Sequence, residues 1–482
     1  MKRLALATLL FASSALAQGP TKADEPEVVA MPTKSPLVTL ALQFHAGAVD
    51  DPAGKAGLTA LTAKLMAEGG TQALDSAQLR QALFPMATEV HARVDKEQTT
   101  FYATVHKDFV QKMVGILGDV VARPRFDPSE LARLRDETVN DVEKRLRQGD
   151  DENLGKAALE ELMFRGHPYG HLTIGHASDL KQLTMADVKQ QAAHVFTRDR
   201  LTIGVAGGYP ADVVAQLRTA AGTLPATGAP LVEVTAQAPH RPRVRIVEKQ
   251  TDATAISIGV PWTLTRHSPD YAALLVARSC FGEHRQLHGR LMQRLREMRG
   301  LNYGDYAYLE HFEQEGPDAV TAQTGRVRKQ GELTIWLRPV QNENALFALR
   351  AALYELSRSG GDEPFSVEEI ERAKGFLDGY VLLFAQNDRR RLGYALDDRA
   401  LGGGQDLLAT LRADIAKVTP ADVARVWKQV QALAPQMEIV LVAPKAAELK
   451  RAIVTNAPSP MHYQKDAQGN SPKKPPALLA AD

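Results

Sequence analysis

Arg296 and Tyr303 stand seven residues apart on either side of Gly300, inside the stretch Gly289 to Tyr303 that reads GRLMQRLREMRGLNY. A guanidinium and a phenol brought to one point past a helix end suit an oxygen that carries or develops negative charge. Leu291, Met292 and Leu295 recur at the helical three-to-four spacing. That predicts a basic amphipathic helix that buries these three and leaves Arg290, Arg294 and Arg296 off the core. The same spacing equally describes a solvated arginine face followed by a tyrosine that anchors the next strand. A second set, Cys280, His284 and His288, is spaced four and four and could present three metal ligands on one helical face. Three ligands from one helix strain a tetrahedral site, so a small buried cysteine beside a surface pair of histidines is the competing reading.

The elements that must position these residues belong to a large chain. At 482 residues, 44% hydrophobic and 24% charged, it can bury more than one core, and its net charge of +1 gives no field that would recruit nucleic acid. Residues 1–17, MKRLALATLLFASSALA, combine a Lys2-Arg3 start, an apolar run and a small-residue site at Ala15-Leu16-Ala17. This predicts a cleavable signal peptide and an exported protein, periplasmic or secreted. No cysteine follows the apolar run to take a lipid, and no later run is long enough to span a bilayer. Cys280 is the single cysteine and cannot form an internal disulfide.

Residues 18–36 read as a polar lead-in. Strands are predicted at Leu37 to Phe44, Thr99 to Val105 and Leu201 to Ala206, and helices at Gly57 to Glu68, Asp108 to Val121, Ser129 to Leu146, Ala157 to Phe164 and Ala186 to Phe196. The order then recurs. Leu183-Thr184-Met185-Ala186-Asp187-Val188, a helix and the strand LTIGVA return 235 residues later as Val418-Thr419-Pro420-Ala421-Asp422-Val423, a helix and EIVLVA. Thr99 to Val105 with its helix likewise matches Leu333 to Leu337 with the helix from Glu343 to Ser357, and the helix after Phe126-Asp127-Pro128 matches that after Phe365-Ser366-Val367. Three matched segments in order indicate a duplicated domain. The halves are residues 37–224 and 244–457, joined by a Pro/Ala/Thr-rich linker at residues 225–243 and followed by a disordered tail at residues 458–482. Each half is expected to be an α+β roll, a mostly antiparallel sheet with helices on one face, and the helix that opens this section is expected to be the first helix of the second half.

These features resemble the insulinase/pitrilysin superfamily of zinc metallopeptidases, the inverzincins, over almost all of the mature chain. The stretch Asp51-Pro52-Ala53-Gly54-Lys55-Ala56-Gly57-Leu58 runs into a helix ending at Gly70-Thr71. The loop His167-Pro168-Tyr169-Gly170 and the segment from Gly289 to Tyr303 complete the match. The resemblance implies a clamshell of two homologous halves. It also implies a first helix bearing His-x-x-Glu-His, with two zinc ligands one turn apart and a general base between them. Here those slots read Ala60, Ala63 and Lys64, and no such motif occurs elsewhere. Glu143 is the candidate for the family's remaining glutamate ligand. No metal is therefore expected in this chain. In the resembling enzymes an arginine and a tyrosine seven residues apart in the second half reach the zinc site, and Arg296 and Tyr303 match that pair. The chain is accordingly expected to be the non-zinc subunit of a split peptidase that acts on unfolded peptides, its partner a homologous zinc-bearing chain. A structural or peptide-binding member without a catalytic role is the alternative.

Overall fold

The computed structural model describes residues 25–239, 241–314, 320–464, 468–469, 474, 477 and 479. The expected signal peptide, residues 1–17, lies outside the described residues. In the first half, β1 (Glu27–Pro32) runs parallel to β5 (Leu201–Gly207). Then β2 (Leu37–Phe44), β4 (Thr99–His106) and β3 (His91–Val94) follow as antiparallel neighbours, in the order β1-β5-β2-β4-β3. The second half repeats the plan. Its β6 (Val244–Glu248) is parallel to β10 (Glu438–Ala443), followed by β7 (Ala253–Trp262), β9 (Gly331–Gln341) and β8 (Asp305–Tyr308), in the order β6-β10-β7-β9-β8. The stretch read as a lead-in therefore contains a strand. Its residues are exposed or half-buried, so hydrophobic alternation does not announce it.

The helices match as closely. The first half carries α1 (Leu58–Glu68), α2 (Ser76–Leu83), α3 (Val110–Ala122), α4 (Pro128–Asn140), α5 (Asp151–Met163), α6 (Ala177–Leu180), α7 (Met185–Val195) and α8 (Val213–Ala221). The second carries α9 (Tyr271–Gly282), a π-helical turn at Met292–Glu297, α10 (Ala345–Arg358), α11 (Val367–Tyr380), α12 (Asp388–Ala400), α13 (Leu407–Lys417), α14 (Pro420–Leu433) and α15 (Ala446–Val454). The recurring Thr-x-x-Asp signals are both capping boxes. Thr184 and Asp187 open α7 and Thr419 and Asp422 open α14, each threonine Oγ1 accepting from the aspartate N–H at 3.2 Å. In this register the counterpart of α1 is α9, and the turn at Met292–Glu297 takes the place of α2. The expectation that the arginine-rich stretch forms the first helix of the second half is thereby corrected. The long helix expected to Leu146 is α4 followed by a π-helical turn, Asp141–Leu146, and α5 begins at Asp151, nearly two turns before the expected start at Ala157.

Each half has its own apolar core. In the first, α3 lays Val110, Met113, Val114, Leu117, Val120 and Val121 against Val38, Leu40, Phe101, Ala103 and Val105 of the sheet. The opposite face of each sheet is covered by a helix of the other half: α5 packs on β7 and β10, and α12 packs on β1, β2 and β5. Leu392 and Leu396 of α12 seat against Ala41 and Ala206. Glycines permit the approach: a Cβ on Gly155 of α5 would meet Ser257 Oγ at 3.2 Å, and one on Gly204 of β5 would meet Leu396 Cδ1 at 3.0 Å. The start of the region read as a disordered tail is docked on α10. Ser459 and Met461 are buried, and Arg350 donates to the Ala457 carbonyl and Ser459 Oγ at 2.8 and 2.7 Å.

Candidate functional site

Helix α1 shows what stands where a metal would be held. Its i and i+4 positions share a face, so Ala60 and Lys64 lie where two imidazoles would converge, while Ala63 is fully buried. The Lys64 ammonium pairs with Glu137 of α4 at 3.2 Å. Arg133, one turn before Glu137, pairs with Glu137 at 3.3 Å, with Glu130 at 2.8 Å and with Glu68 at 3.8 Å. Burial, aided by Glu137, raises the Glu68 carboxyl above its usual range against the pull of Lys64 and Arg133. An ammonium and two methyl side chains give a cation no lone pair, so the α1 slots do not fit zinc. Glu137 is the carboxylate that reaches this point, and Glu143 is not: it pairs with Lys181 on the surface.

The arginine-rich stretch is less basic toward solvent than its composition implies. Arg290 is buried, with Nε and Nη2 donating to the two Glu369 oxygens at 2.8 and 2.9 Å. Arg294 pairs with Glu355 at 3.0 Å and also with Glu363. Arg290 and Arg294, both expected off the core, are thus held by distant acids that α10, α11 and the segment between them bring over this turn. Arg296 keeps 34% of its side chain exposed and donates to its neighbour Glu297 at 2.7 Å. Gly300, at φ +68°, ends the turn, its N–H donating to the Arg296 carbonyl at 2.7 Å. Asn302 then pins the chain. Its amide donates to Asp305 Oδ1 at 2.6 Å and to the Arg338 carbonyl at 2.9 Å, and its oxygen accepts from the Gly304 N–H at 3.0 Å. Tyr303 projects between these anchors and is 80% exposed. Among the described residues no hydrogen bond or ring contact joins it to Arg296. Burial pushes the Asp305 carboxyl up to about 7 against the opposing Asn302 hydrogen bond and Arg296 charge, and its Oδ2 has no partner among the described residues.

Cys280, His284 and His288 do not share a helical face, because α9 ends at Gly282. Burial pushes the Cys280 thiol up to about 12. His284 is buried among Tyr306, Tyr308 and Phe312, with Nδ1 2.6 Å from the Tyr308 hydroxyl, and burial lowers it to about 3. His288 meets Ser279 Oγ instead, at 3.2 Å. A buried thiol and two separately engaged imidazoles replace the candidate ligand set, and the histidines are not a surface pair.

A cavity of about 510 Å³ lies between the halves, lined by α5 and the turn before it from the first, and by residues 311–314 and β9 from the second. Ion pairs crossing the halves border it. Arg328 holds Asp95 through two bonds of 2.8 and 2.7 Å and Glu160 at 2.7 Å, and within the first half Lys96 lies 3.6 Å from Glu160. Glu160, His311 and Glu332 come within 4.8 Å of one another here. Burial and Arg328 oppose a charge on His311, yet Glu313, Glu332 and Glu160 raise it to about 9. Sequence reasoning missed this group because its members lie far apart in the chain and form no spaced motif.

Comparison with known proteins agrees with this architecture. Residues 28–176 match the insulinase family (peptidase family M16), and residues 182–377 match the peptidase M16 inactive domain. An uncharacterized zinc protease of Mycobacterium tuberculosis is 27% identical over 52% of this chain and 57% of its own length, so the match spans just over half of that relative. A protein of Helicobacter pylori named a non-peptidase homolog is 22% identical over 56% of this chain and 62% of its own. A crystal structure of a peptidase M16 inactive domain from Pseudomonas fluorescens superposes with TM-score 0.75 at 21% identity, covering 89% of this chain and 98% of that one. Two matched family regions laid over two sheets of identical topology make this chain a member of the insulinase family of peptidases, M16.

Proposed function

We propose that this chain is the subunit of a two-chain zinc peptidase that binds no metal at its α1 slots, is exported from the cytoplasm, and lends Arg296 and Tyr303 to a homologous partner that carries the catalytic zinc. The observation that carries the reading is a contrast. The α1 slots are closed by Lys64 and its pairing with Glu137, whereas Tyr303 stands 80% exposed between two anchored turns. A phenol hydroxyl so presented, with Arg296 seven residues before it, can donate to the oxygen on which charge builds as a scissile carbonyl is attacked. Substrates are unfolded peptides, added as a further strand at a free sheet edge such as β3.

The test is complementation. Mixing the chain with a homologue that carries His-x-x-Glu-His is expected to give peptidase activity that neither shows alone. Tyr303→Phe is expected to lower turnover by about 10²–10³-fold in a complex that gel filtration shows intact. Full activity of the intact Tyr303→Phe complex would remove the Tyr303 hydroxyl from the reaction. It would favour the second reading, a peptide-binding or structural member, which the name of the Helicobacter pylori relative supports. Export is tested by fractionation: retention of the full-length chain in the cytoplasm would refute it.

A further inference from the structure

The boundary between the halves carries a feature that the proposed subunit role leaves unused. We propose that Glu160, His311 and Glu332 form a binding site for a divalent transition-metal cation, with zinc as its probe, on the wall of the interdomain cavity. The site is composite. Glu160 comes from α5 of the first half, whereas His311 follows β8 and Glu332 lies on β9 of the second.

Distances favour an ion over direct pairing. His311 Nδ1 lies 3.4 Å from Glu332 Oε1 and 3.9 Å from Glu160 Oε1. Both exceed the usual reach of an N–H···O bond, about 2.7–3.2 Å. They approach the edge of a zinc tetrahedron, about 3.3 Å when each ligand atom stands about 2.05 Å from the metal. The other ring nitrogen, Nε2, faces Glu313 at 3.7 Å. A carboxylate behind the far nitrogen is the arrangement that orients a metal-binding imidazole.

Glu332 supplies the independent observation. Its side chain is 5% exposed, yet Oε2 has no hydrogen-bond partner among the described residues. A buried carboxylate with one oxygen left unpaired is costly, and a cation bound by Glu332 offsets that cost. Fixed charges agree, because the four carboxylates Asp95, Glu160, Glu313 and Glu332 face the three cations Lys96, Arg326 and Arg328. Arg328 engages Glu160 Oε1, but that oxygen has a second lone pair, and the rest of the guanidinium is committed to Asp95. On binding, the metal takes the place of a proton at His311 Nδ1, and that proton passes to solvent. Imidazole with two carboxylates is a donor set for zinc, and three protein ligands leave one position for water or for a ligand entering the cavity.

The experiment is zinc titration of the chelator-treated full chain by calorimetry, with metal content measured after dialysis. One zinc per chain is expected, and Co²⁺ is expected to give the intense visible bands of a tetrahedral site. His311→Ala and Glu332→Gln should abolish binding, and Glu313→Gln should weaken it by about 10–100-fold, with circular dichroism confirming each fold. Absence of zinc binding in the wild-type chain would overturn the site and leave His311 holding a proton there. So would binding unchanged in both His311→Ala and Glu332→Gln. Neither result bears on Arg296 and Tyr303, which are read by complementation.

Discussion

Replacing Asp305 with asparagine should stabilise the second half above neutral pH and leave it unchanged in acid. The carboxyl is wholly buried at the start of β8, accepts one hydrogen bond from Asn302, and leaves Oδ2 without a partner among the described residues. Burial raises its pKa from 3.8 to about 7, so the folded chain keeps a proton that the unfolded chain releases. Stability from that proton is complete below the unfolded value and is lost as pH rises through the folded one. The rise corresponds to about 4 kcal/mol at about 1.4 kcal/mol per tenfold change in proton affinity. Asparagine keeps the acceptor for Asn302 and cannot ionise, so the variant avoids this loss. Allowing for Arg296 to swing toward the ionised carboxylate, the expected gain at about pH 8.5 is about 2–4 kcal/mol, falling to near zero at about pH 4. Urea unfolding followed by tryptophan fluorescence reads the relevant half, since Trp262, Trp336 and Trp427 all lie within it. A gain that is the same at both pH values, or a loss at pH 8.5, would refute the reasoning.

Introducing Ala60→His and Lys64→His together, in a His311→Ala background, should create zinc affinity that Glu137→Gln then removes, because Glu137 already reaches position 64; calorimetry that detects no zinc would show that α4 does not present Glu137 to this face. Leu392→Ala, at a side chain 1% exposed on the other half's sheet, should cost about 2–5 kcal/mol in urea unfolding. A cost below about 1 kcal/mol would mean that the interlock contributes little. Tyr303→Phe should leave the urea midpoint of the isolated chain unchanged, since the phenol stands 80% exposed; a lowered midpoint would assign the tyrosine to packing.

The duplication was legible because its signals are local. A threonine followed three residues later by an aspartate caps a helix wherever it falls, and both copies form the same box. The assignment of the second half's first helix failed for a physical reason. Every residue of α9 except Ala272 is buried, so the helix shows no amphipathic stripe, whereas the next turn shows a strong one. The bare α1 slots were plain from residue types alone. The partner of Lys64 was not, since choosing Glu137 over Glu143 depends on how α4 crosses α1. Arg290 and Arg294 read as free charges because their acids lie more than sixty residues away along the chain.

The crossed placement of α5 and α12 gives the duplication a history and a mechanical consequence. Two identical ancestral chains, each lending one helix to the back of its twin's sheet, would form a symmetric swapped dimer, and fusing them end to end yields this topology. Neither half is then a self-sufficient folding unit. Cutting the backbone anywhere in residues 225–243 should leave the two pieces bound to each other, and producing either piece alone should expose the sheet face that its sibling's helix seals.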